Sequence, residues 1–364
     1  MNKRQKKQLI ILAPTFPPQI GGPATYIKNI LPYLSEHFRI TLISSYINYN
    51  HINKEKFPFR HIQFKGIKFI RPFQFLYFSF KYIKKDSVIF AISSPQDTFL
   101  SIIIFRLLNK KVFLRIGGEY HREFSQDSLK NSLYAKIKSG VLLLILKIIS
   151  FFKTGFICVS YIMEKYLKSI NIIKNTHVLF NPVVSDIAKK TAENNKPRTR
   201  LLTISRLIKR KKIHEIIEFI SEHKEISLTI CGTGPEEYNL KRLAEKKGVC
   251  VIFKDSVFDK DKILEFEKAD YFILNSIKGE GCPNAILEAL NFGIPVLTTQ
   301  HIKDTGVVNN LNAFIYKDIN QIYEYIIENN SREKYNALIA KTYLSPDFHI
   351  NSHINRLKKL FNCD

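Results

Sequence analysis

Short apolar runs rich in Ile, Leu, Val and Phe alternate along this chain with longer stretches of helical spacing, and the whole rhythm occurs twice. The first round has apolar runs at 9–13, 40–44, 88–92, 111–115, 155–159 and 177–180, with a helix at 26–35 and helices expected after the runs at 88–92, 111–115 and 155–159. A polar segment at 184–198, with Pro197 near its end, breaks the pattern. It restarts with runs at 200–205, 226–231, 249–253, 271–275 and 295–298, separated by helical stretches at 211–221, 236–246, 260–267 and 283–291. Strands that read as continuous apolar runs are buried on both faces, which points to parallel sheets covered by helices. A single core rarely serves more than about 250–300 residues, so 364 residues with two rhythms predict two domains. The expected architecture is α/β: two Rossmann-like doubly wound domains, 1–183 and 199–345, joined by a linker at 184–198. A helical tail at 346–364 follows, in which Ile350, Ile354, Leu357 and Leu360 fall at helical spacing. Ligands of such sheets bind beyond the carboxyl ends of the strands, so two facing domains would enclose a cleft that holds the chemistry.

Charge is distributed unevenly. The net charge is +24, yet residues 1–183 carry 28 Lys and Arg against 8 Asp and Glu, while 184–364 carry 28 against 24. The basic residues are shared equally, so the missing acid in the first half is the informative part. It predicts an anionic partner there, such as a membrane surface, a phosphate-bearing acceptor or nucleic acid. With 45% apolar and 24% charged residues the composition is that of an ordered protein. Five cysteines, Cys158, Cys231, Cys250, Cys282 and Cys363, form no C-x-x-C pair and predict neither a disulfide nor a zinc framework. The basic start is followed by an apolar run too short for a signal-peptide core, so a cytoplasmic location is expected. The apolar stretch at 140–156 is interrupted by Lys147 and Lys153 and is too short to span a bilayer. It reads either as a core helix or as an interfacial segment whose lysines reach headgroups.

The segment from Asn275 to Pro295 reads NSIKGEGCPNAILEALNFGIP: a strand end, a Gly-containing turn with Glu280, then Pro283 at the expected first position of a helix bearing Glu288. The backbone N–H groups of Asn284, Ala285 and Ile286 would then be unpaired donors at the positive end of a helix dipole, an anion site suited to a diphosphate. Glu288 stands among apolar neighbours, so its carboxylate needs compensation, which two ribose hydroxyls would supply; a Glu on the single solvated stripe of a core helix is the alternative.

The context E-G-x-P-N-x-x-x-E-A-x-x-x-G-x-P-V around Glu280 and Glu288 resembles the E-x7-E signature of retaining GT-B glycosyltransferases, in particular family 4. The resemblance extends over nearly the whole chain. It implies a GT-B fold, with Glu280 on the hydroxyls of a donor sugar and Glu288 on the nucleotide ribose. The run S-R-L-I-K-R-K-K from Ser205 is similar to the family's G-R-L-x-x-x-K-G, with Ser205 and Lys212 in place of its glycines. Arg206 and Lys211 would bind the donor diphosphate, although the four consecutive cations from Lys209 to Lys212 leave the register open. The Gly21-Gly22 pair resembles the family's loop after the first strand, where a backbone amide approaches the diphosphate.

Other segments add less. Gly232-Thr-Gly-Pro matches a structural turn of the family and lacks the third Gly of a dinucleotide fingerprint. Asp259-Lys-Asp261 has the form of a metal-binding D-x-D but opens a helix, where N-capping is expected. The loop after the run at 111–115 offers Glu119, His121 and Glu123 on the acceptor side, or simply a surface loop; His121 is a candidate to contact the donor sugar. Nucleobase contacts are expected near 254–257. The resemblance thus implies an EC 2.4 enzyme that moves a sugar, with retention, from a UDP- or GDP-sugar substrate to a saccharide or lipid-linked saccharide in surface polysaccharide or glycolipid biosynthesis. Capsule and lipopolysaccharide pathways are of this kind. No cofactor or metal is expected, nor nucleic acid as a partner; peripheral association with the inner face of the cytoplasmic membrane is. Rival readings are an epimerase or phosphorylase on the same fold, or a basic nucleic-acid-binding protein.

Overall fold

The computed structural model describes residues 6–19, 21–48, 50, 55–67, 69–117, 133–172, 174–184 and 199–362. The chain divides into two units, the first made of 1–184 together with 349–364, the second of 185–348.

In the first unit seven parallel strands, β1 (Gln8–Ala13), β2 (Arg39–Tyr46), β3 (Arg60–Lys65), β4 (Val88–Ile92), β5 (Lys111–Ile116), β6 (Gly155–Cys158) and β7 (Thr176–Val178), lie in the order β3-β2-β1-β4-β5-β6-β7. Its helices are α1 (Gly22–His37), α2 (Arg71–Tyr82), α3 (Pro95–Leu107), α4 (Leu133–Phe151) and α5 (Tyr161–Ser169). All six residues of β1 are buried, with Ile11 opposite Leu42 of β2 and Phe90 of β4. Sequence reading missed β3 and α2. β3 is the edge strand, and its RHIQFK run is mostly half-buried or exposed, so it lacks an apolar signature. α2 is rich in aromatic residues, which mimic a strand locally. In α4, Leu142, Leu146 and Ile149 face the core while Val141, Leu144, Ile148 and Phe151 are exposed. Among the described residues no helix is long and apolar enough to cross a membrane.

In the second unit six parallel strands, β8 (Thr199–Ile204), β9 (Ile226–Cys231), β10 (Val251–Lys254), β11 (Tyr271–Leu274), β12 (Val296–Thr299) and β13 (Ala313–Tyr316), take the order β10-β9-β8-β11-β12-β13. The helices are α6 (Ile213–Glu222), α7 (Glu237–Lys247), α8 (Asp259–Lys268), α9 (Asn284–Asn291), α10 (Gln300–Thr305), α11 (Gln321–Glu328) and α12 (Arg332–Lys341). In each sheet the strand order reverses beside the unit's first strand, between β1 and β4 and between β8 and β11, and such a switch point leaves a crevice at the carboxyl edge.

The tail forms α13 (Ile350–Asn362), which packs in the first unit. Its buried face is Ile350, His353, Ile354, Leu357 and Phe361, and the partly buried Leu360 packs against the same core. Phe361 meets Phe38, Phe90 and Phe113 at ring-centroid distances of 5.9, 5.2 and 5.3 Å. At its start the Ile350 N–H donates to the Val183 carbonyl (3.2 Å), so the returning chain pairs with the segment leaving the sheet.

His353 is buried, and its Nε2 lies 2.9 Å from the Tyr26 hydroxyl. The Arg115 guanidinium stacks 3.6 Å over the Tyr26 ring and also donates to Asn181. Burial first, and the Arg115 charge second, push His353 well below its ordinary 6.5, and burial lowers His61 to about 4. Both are therefore neutral when folded and take a proton near pH 6.5 when unfolded, so stability is lost as pH falls below about 6.5. Each adds a slope of up to about 1.4 kcal/mol per pH unit. Urea unfolding between pH 7 and 5 is expected to show this decline, and His353→Gln should remove close to one proton from the slope; an unchanged slope would contradict a neutral His353.

Candidate functional site

At the switch point of the second unit, the chain leaving β8 passes Ser205 and Arg206 into a 3-10 turn, Lys209–Lys211, before α6. This segment is braced by the turn after β9. Ser205 N–H donates to the Cys231 carbonyl (3.0 Å), Leu207 N–H to Thr233 (2.9 Å), and Glu236 N–H to Leu207 (3.1 Å). A Cβ at Gly232 would stand 2.0 Å from the Ser205 carbonyl oxygen, and one at Gly234 2.3 Å from that of Leu207, so the two glycines are required by close backbone approach. The G-x-G-P turn is thus a brace for the Arg206 segment.

The loop after β11 carries Glu280 back towards that turn. Glu280 and Lys211 are each 8% exposed, and the Lys211 Nζ donates to Glu280 Oε1. Arg210 Nη1 reaches the same oxygen at 3.2 Å and also the Gly279 and Lys278 carbonyls at 2.7 and 3.2 Å; the Ser276 hydroxyl adds a bond of 2.8 Å. Burial alone would raise this carboxyl; Lys211, Arg210 and the hydrogen bonds outweigh burial and hold it below the usual carboxylate range. All three side-chain donors converge on Oε1, leaving Oε2 with no partner among the described residues. Behind the carboxylate, the Glu280 N–H donates to His301 Nε2 (3.3 Å) and the Thr299 hydroxyl to the Ser276 carbonyl (2.6 Å). A cavity of about 600 Å³ adjoins, lined by Asn275, Thr299, His301, Tyr316, Lys212 and Glu215 among others.

The structure separates the four consecutive cations. Lys211 turns inward to Glu280, Arg210 clamps the Glu280 loop, Lys212 pairs with Glu215, and Lys209 is exposed. Lys212 adopts the left-handed region (φ 48°, ψ 39°), where a β-carbon is unfavourable. That explains the Gly of the similar motif. Arg206 is exposed and makes no side-chain hydrogen bond or ion pair among the described residues, so its charge remains available.

Pro283 is the N-cap of α9 rather than its first residue. Of the three amides read as anion donors, that of Ile286 is already used, donating to the Pro283 carbonyl (3.1 Å); that of Ala285 has no backbone partner among the described residues, and Asn284 occupies the first helical position. One turn further, Glu288 is about a quarter exposed, and both its oxygens accept from Lys262 of α8 at 3.1 Å. Burial pushes this carboxyl above the usual range and Lys262 offsets only part of the rise.

Gly21 is the N-cap of α1 and Gly22 its first residue, both after β1 in the first unit. A Cβ at Gly22 would touch nothing within 4 Å, so the space beside it is open. Across that unit's switch point, Ser93 and Ser94 after β4 both have positive φ (63° and 45°), backbone strain that sequence could not signal. Glu119, His121 and Glu123 lie outside the described residues. Phe258, not Asp259, caps α8, and no side-chain cap bond is formed; Asp259 and Asp261 belong to its first turn. Arg210 and His301 were not singled out in the sequence. Arg210 hid within the basic run, and His301 approaches Glu280 only through the parallel pairing of β11 with β12.

Residues 184–352 match the family model described as Glycosyl transferases group 1, so the second unit is a glycosyl transferases group 1 domain. Among curated proteins, WcaL of Escherichia coli (strain K12) is 31% identical over 112 residues, and the match spans 28% of this chain and 28% of WcaL. CapJ of Staphylococcus aureus is 27% identical over 334 residues, covering 87% of this chain and 80% of CapJ. The crystal structure of Anabaena HepE in complex with UDP superposes with a TM-score of 0.71 at 14% identity, covering 97% of this chain and 98% of that one. This likeness shows the fold: two Rossmann-like α/β domains of GT-B type.

Removing one partner of a buried ion pair leaves the other uncompensated, a loss of about 3–5 kcal/mol where nothing replaces it. Arg210 and Ser276 remain on Glu280, so Lys211→Met should destabilise by roughly 2–3 kcal/mol. Lys211→Met with Glu280→Gln should recover part of that. Urea unfolding checks both; a double variant no better than the single one would deny the coupling.

Proposed function

We propose that this chain is a retaining glycosyltransferase that moves a sugar from a UDP- or GDP-sugar to a saccharide or lipid-linked saccharide, in surface polysaccharide or glycolipid biosynthesis. The observation that carries the reading is Glu280. A buried carboxylate at the switch point is kept ionised by Lys211 and Arg210, with one oxygen saturated and the other unpartnered among the described residues. Such a group is preorganised to accept a hydroxyl of a donor sugar without moving. Support comes also from the glycosyl transferases group 1 match, from WcaL, whose name places it provisionally in colanic acid biosynthesis, and from the UDP bound by HepE.

In this scheme Arg206, with no side-chain partner among the described residues, and the Ala285 amide meet the diphosphate, together with Asn284. Glu288, whose carboxyl is raised by burial and bound to Lys262, accepts hydrogen bonds from the ribose hydroxyls. The bond from the anomeric carbon to the diphosphate breaks, and a bond to the acceptor oxygen forms on the same face. The acceptor proton passes to the departing diphosphate. Negative charge grows on that leaving group, so the cations stabilise the transition state more than the ground state. The reaction on this scheme draws on no resident cofactor.

The peripheral membrane reading, at the cytoplasmic face, is supported by exposed apolar residues of the first unit. Phe69, Phe73 and Tyr77 are 83%, 63% and 65% exposed at the start and along one face of α2, and Phe151 at the end of α4 is 81% exposed. Apolar side chains flanked by lysines suit a bilayer surface.

Thermal shifts across UDP-, GDP-, ADP- and CMP-sugars test the donor site. A ligand at about 100 times its Kd stabilises by about 2.7 kcal/mol, and the rise is expected with UDP- or GDP-sugars. Loss of a charge-assisted hydrogen bond costs roughly 1.5–3 kcal/mol, so Glu288→Ala and Arg206→Ala should weaken donor binding by about 10- to 100-fold, while Glu280→Ala chiefly lowers kcat. Unchanged kinetics in all three would overturn the site.

A further inference from the structure

A cavity of about 860 Å³ opens in the first unit at the edge of the sheet opposite the Gly21-Gly22 loop. Because the strands are parallel, their first residues gather there: Gln8 of β1, Arg39 of β2 and Arg60 of β3, beside Lys81 and Tyr82 of the last turn of α2. The lining contains five cations, Lys6, Arg39, Arg60, Lys81 and Lys84, and no carboxylate. Elsewhere in this unit Arg71 meets Asp97 and Lys168 meets Glu164, while Arg106 and Lys110 donate to backbone carbonyls. Here Arg60 lies 4.9 Å and Lys81 5.9 Å from the centre of the Tyr82 ring, and Lys6 donates to the Ser35 carbonyl (3.0 Å). The side chains of Arg39 and Lys84 have no hydrogen bond or ion pair among the described residues.

The floor is rigid. The buried Gln8 amide donates to the Tyr82 carbonyl (2.9 Å) and to the Thr41 hydroxyl (3.4 Å), and its oxygen accepts from Ser87 (2.7 Å). It ties β1, β2 and the end of α2 together beneath the cations. Like charges held around one cavity repel until an anion enters, and guanidinium groups favour the planar donor pattern that phosphate oxygens accept. Phe57, Phe59 and Tyr82 supply an apolar wall beside them.

We propose that this pocket binds a phosphate group, and that its source is the headgroup of an anionic lipid. The α2 helix that ends in the pocket also carries the exposed Phe73, Tyr77 and Phe80, so an apolar surface adjoins the basic one. The lipid source rests on the membrane reading above; the phosphate site itself does not.

The test uses the full chain, its Arg39→Gln/Arg60→Gln double variant, and a control with exposed cations removed elsewhere, Lys28→Gln/Lys165→Gln. Co-sedimentation is measured with phosphatidylcholine vesicles containing or lacking phosphatidylglycerol, and the thermal shift with inorganic phosphate. Unliganded melting temperature and the nucleotide-sugar shift verify that each variant is folded with its donor site intact. Each basic residue near an anionic surface is worth about a factor of five, so the pocket variant should bind anionic vesicles roughly 10- to 30-fold more weakly and lose its part of the phosphate shift, the control retaining both. If wild type shows the phosphate shift and the pocket variant loses it while vesicle binding is absent or unchanged, the site stands for free phosphate and the lipid source is overturned. Equal losses in the control, or no loss in the pocket variant, overturn the site.

Discussion

A parallel sheet whose strand order reverses beside its first strand has one place where adjacent strands send their following segments to opposite faces, and the crevice left there cannot be filled by either connection. Both units of this chain are built on that constraint. In the second unit the segments leaving β8 and β11 carry the Lys209–Lys211 turn and Glu280, separated by 69 residues between Lys211 and Glu280 but brought together by the pairing of Tyr271 with Leu201. Sequence distance is large because the intervening residues build β9 and β10 on the other side of β8. The site is therefore a consequence of topology, and its residues need no proximity in the chain.

Burying a carboxylate is expensive, and Glu280 is tolerated because two cations and a hydroxyl share one of its oxygens. The contrast with Glu288 is informative. Glu288 has one cation, keeps about a quarter of its surface open, and its carboxyl is pushed up rather than down. The two glutamates of one motif thus have carboxyls shifted in opposite directions, Glu280 held down by two cations and hydrogen bonds that outweigh burial, Glu288 pushed up by burial that one cation only partly offsets.

Much of this was legible in the chain. The run at 88–92 coincides with β4, which is apolar and buried throughout, and that at 226–231 with β9, whose buried Ile226, Leu228 and Ile230 alternate with half-buried Ser227 and Thr229. The edge strand β3 and the aromatic α2 were not, because one is mostly polar and half-buried or exposed and the other carries side chains favoured in strands. The Glu280–Glu288 motif singled out the loop after β11, but not which of four adjacent cations meets Glu280. That choice is made by a 3-10 turn followed by a left-handed Lys212, a backbone event that no side-chain pattern encodes. His301 was invisible for a different reason: it touches Glu280 through backbone N–H, and any residue type at 280 would present the same donor.

The uneven charge of the two halves acquires a location in the fold. Basic residues are equally frequent in both, but in the second unit many are spent internally: Lys211 and Arg210 on Glu280, Lys262 on Glu288, Arg200 on Asp270, Lys254 on Glu265. With 8 acidic residues in 1–183, the first half has few partners to offer its own 28 cations. Their field must then be directed outward, where it concentrates in concave, low-dielectric surroundings. The cavity at the amino ends of β1 to β3 is such a place, with Phe57, Phe59 and Tyr82 beside five cations. Omitting carboxylates from one unit is a means of leaving its surface positive without adding a single lysine. It costs little in that unit's stability, because isolated surface ion pairs contribute at most about 1 kcal/mol each.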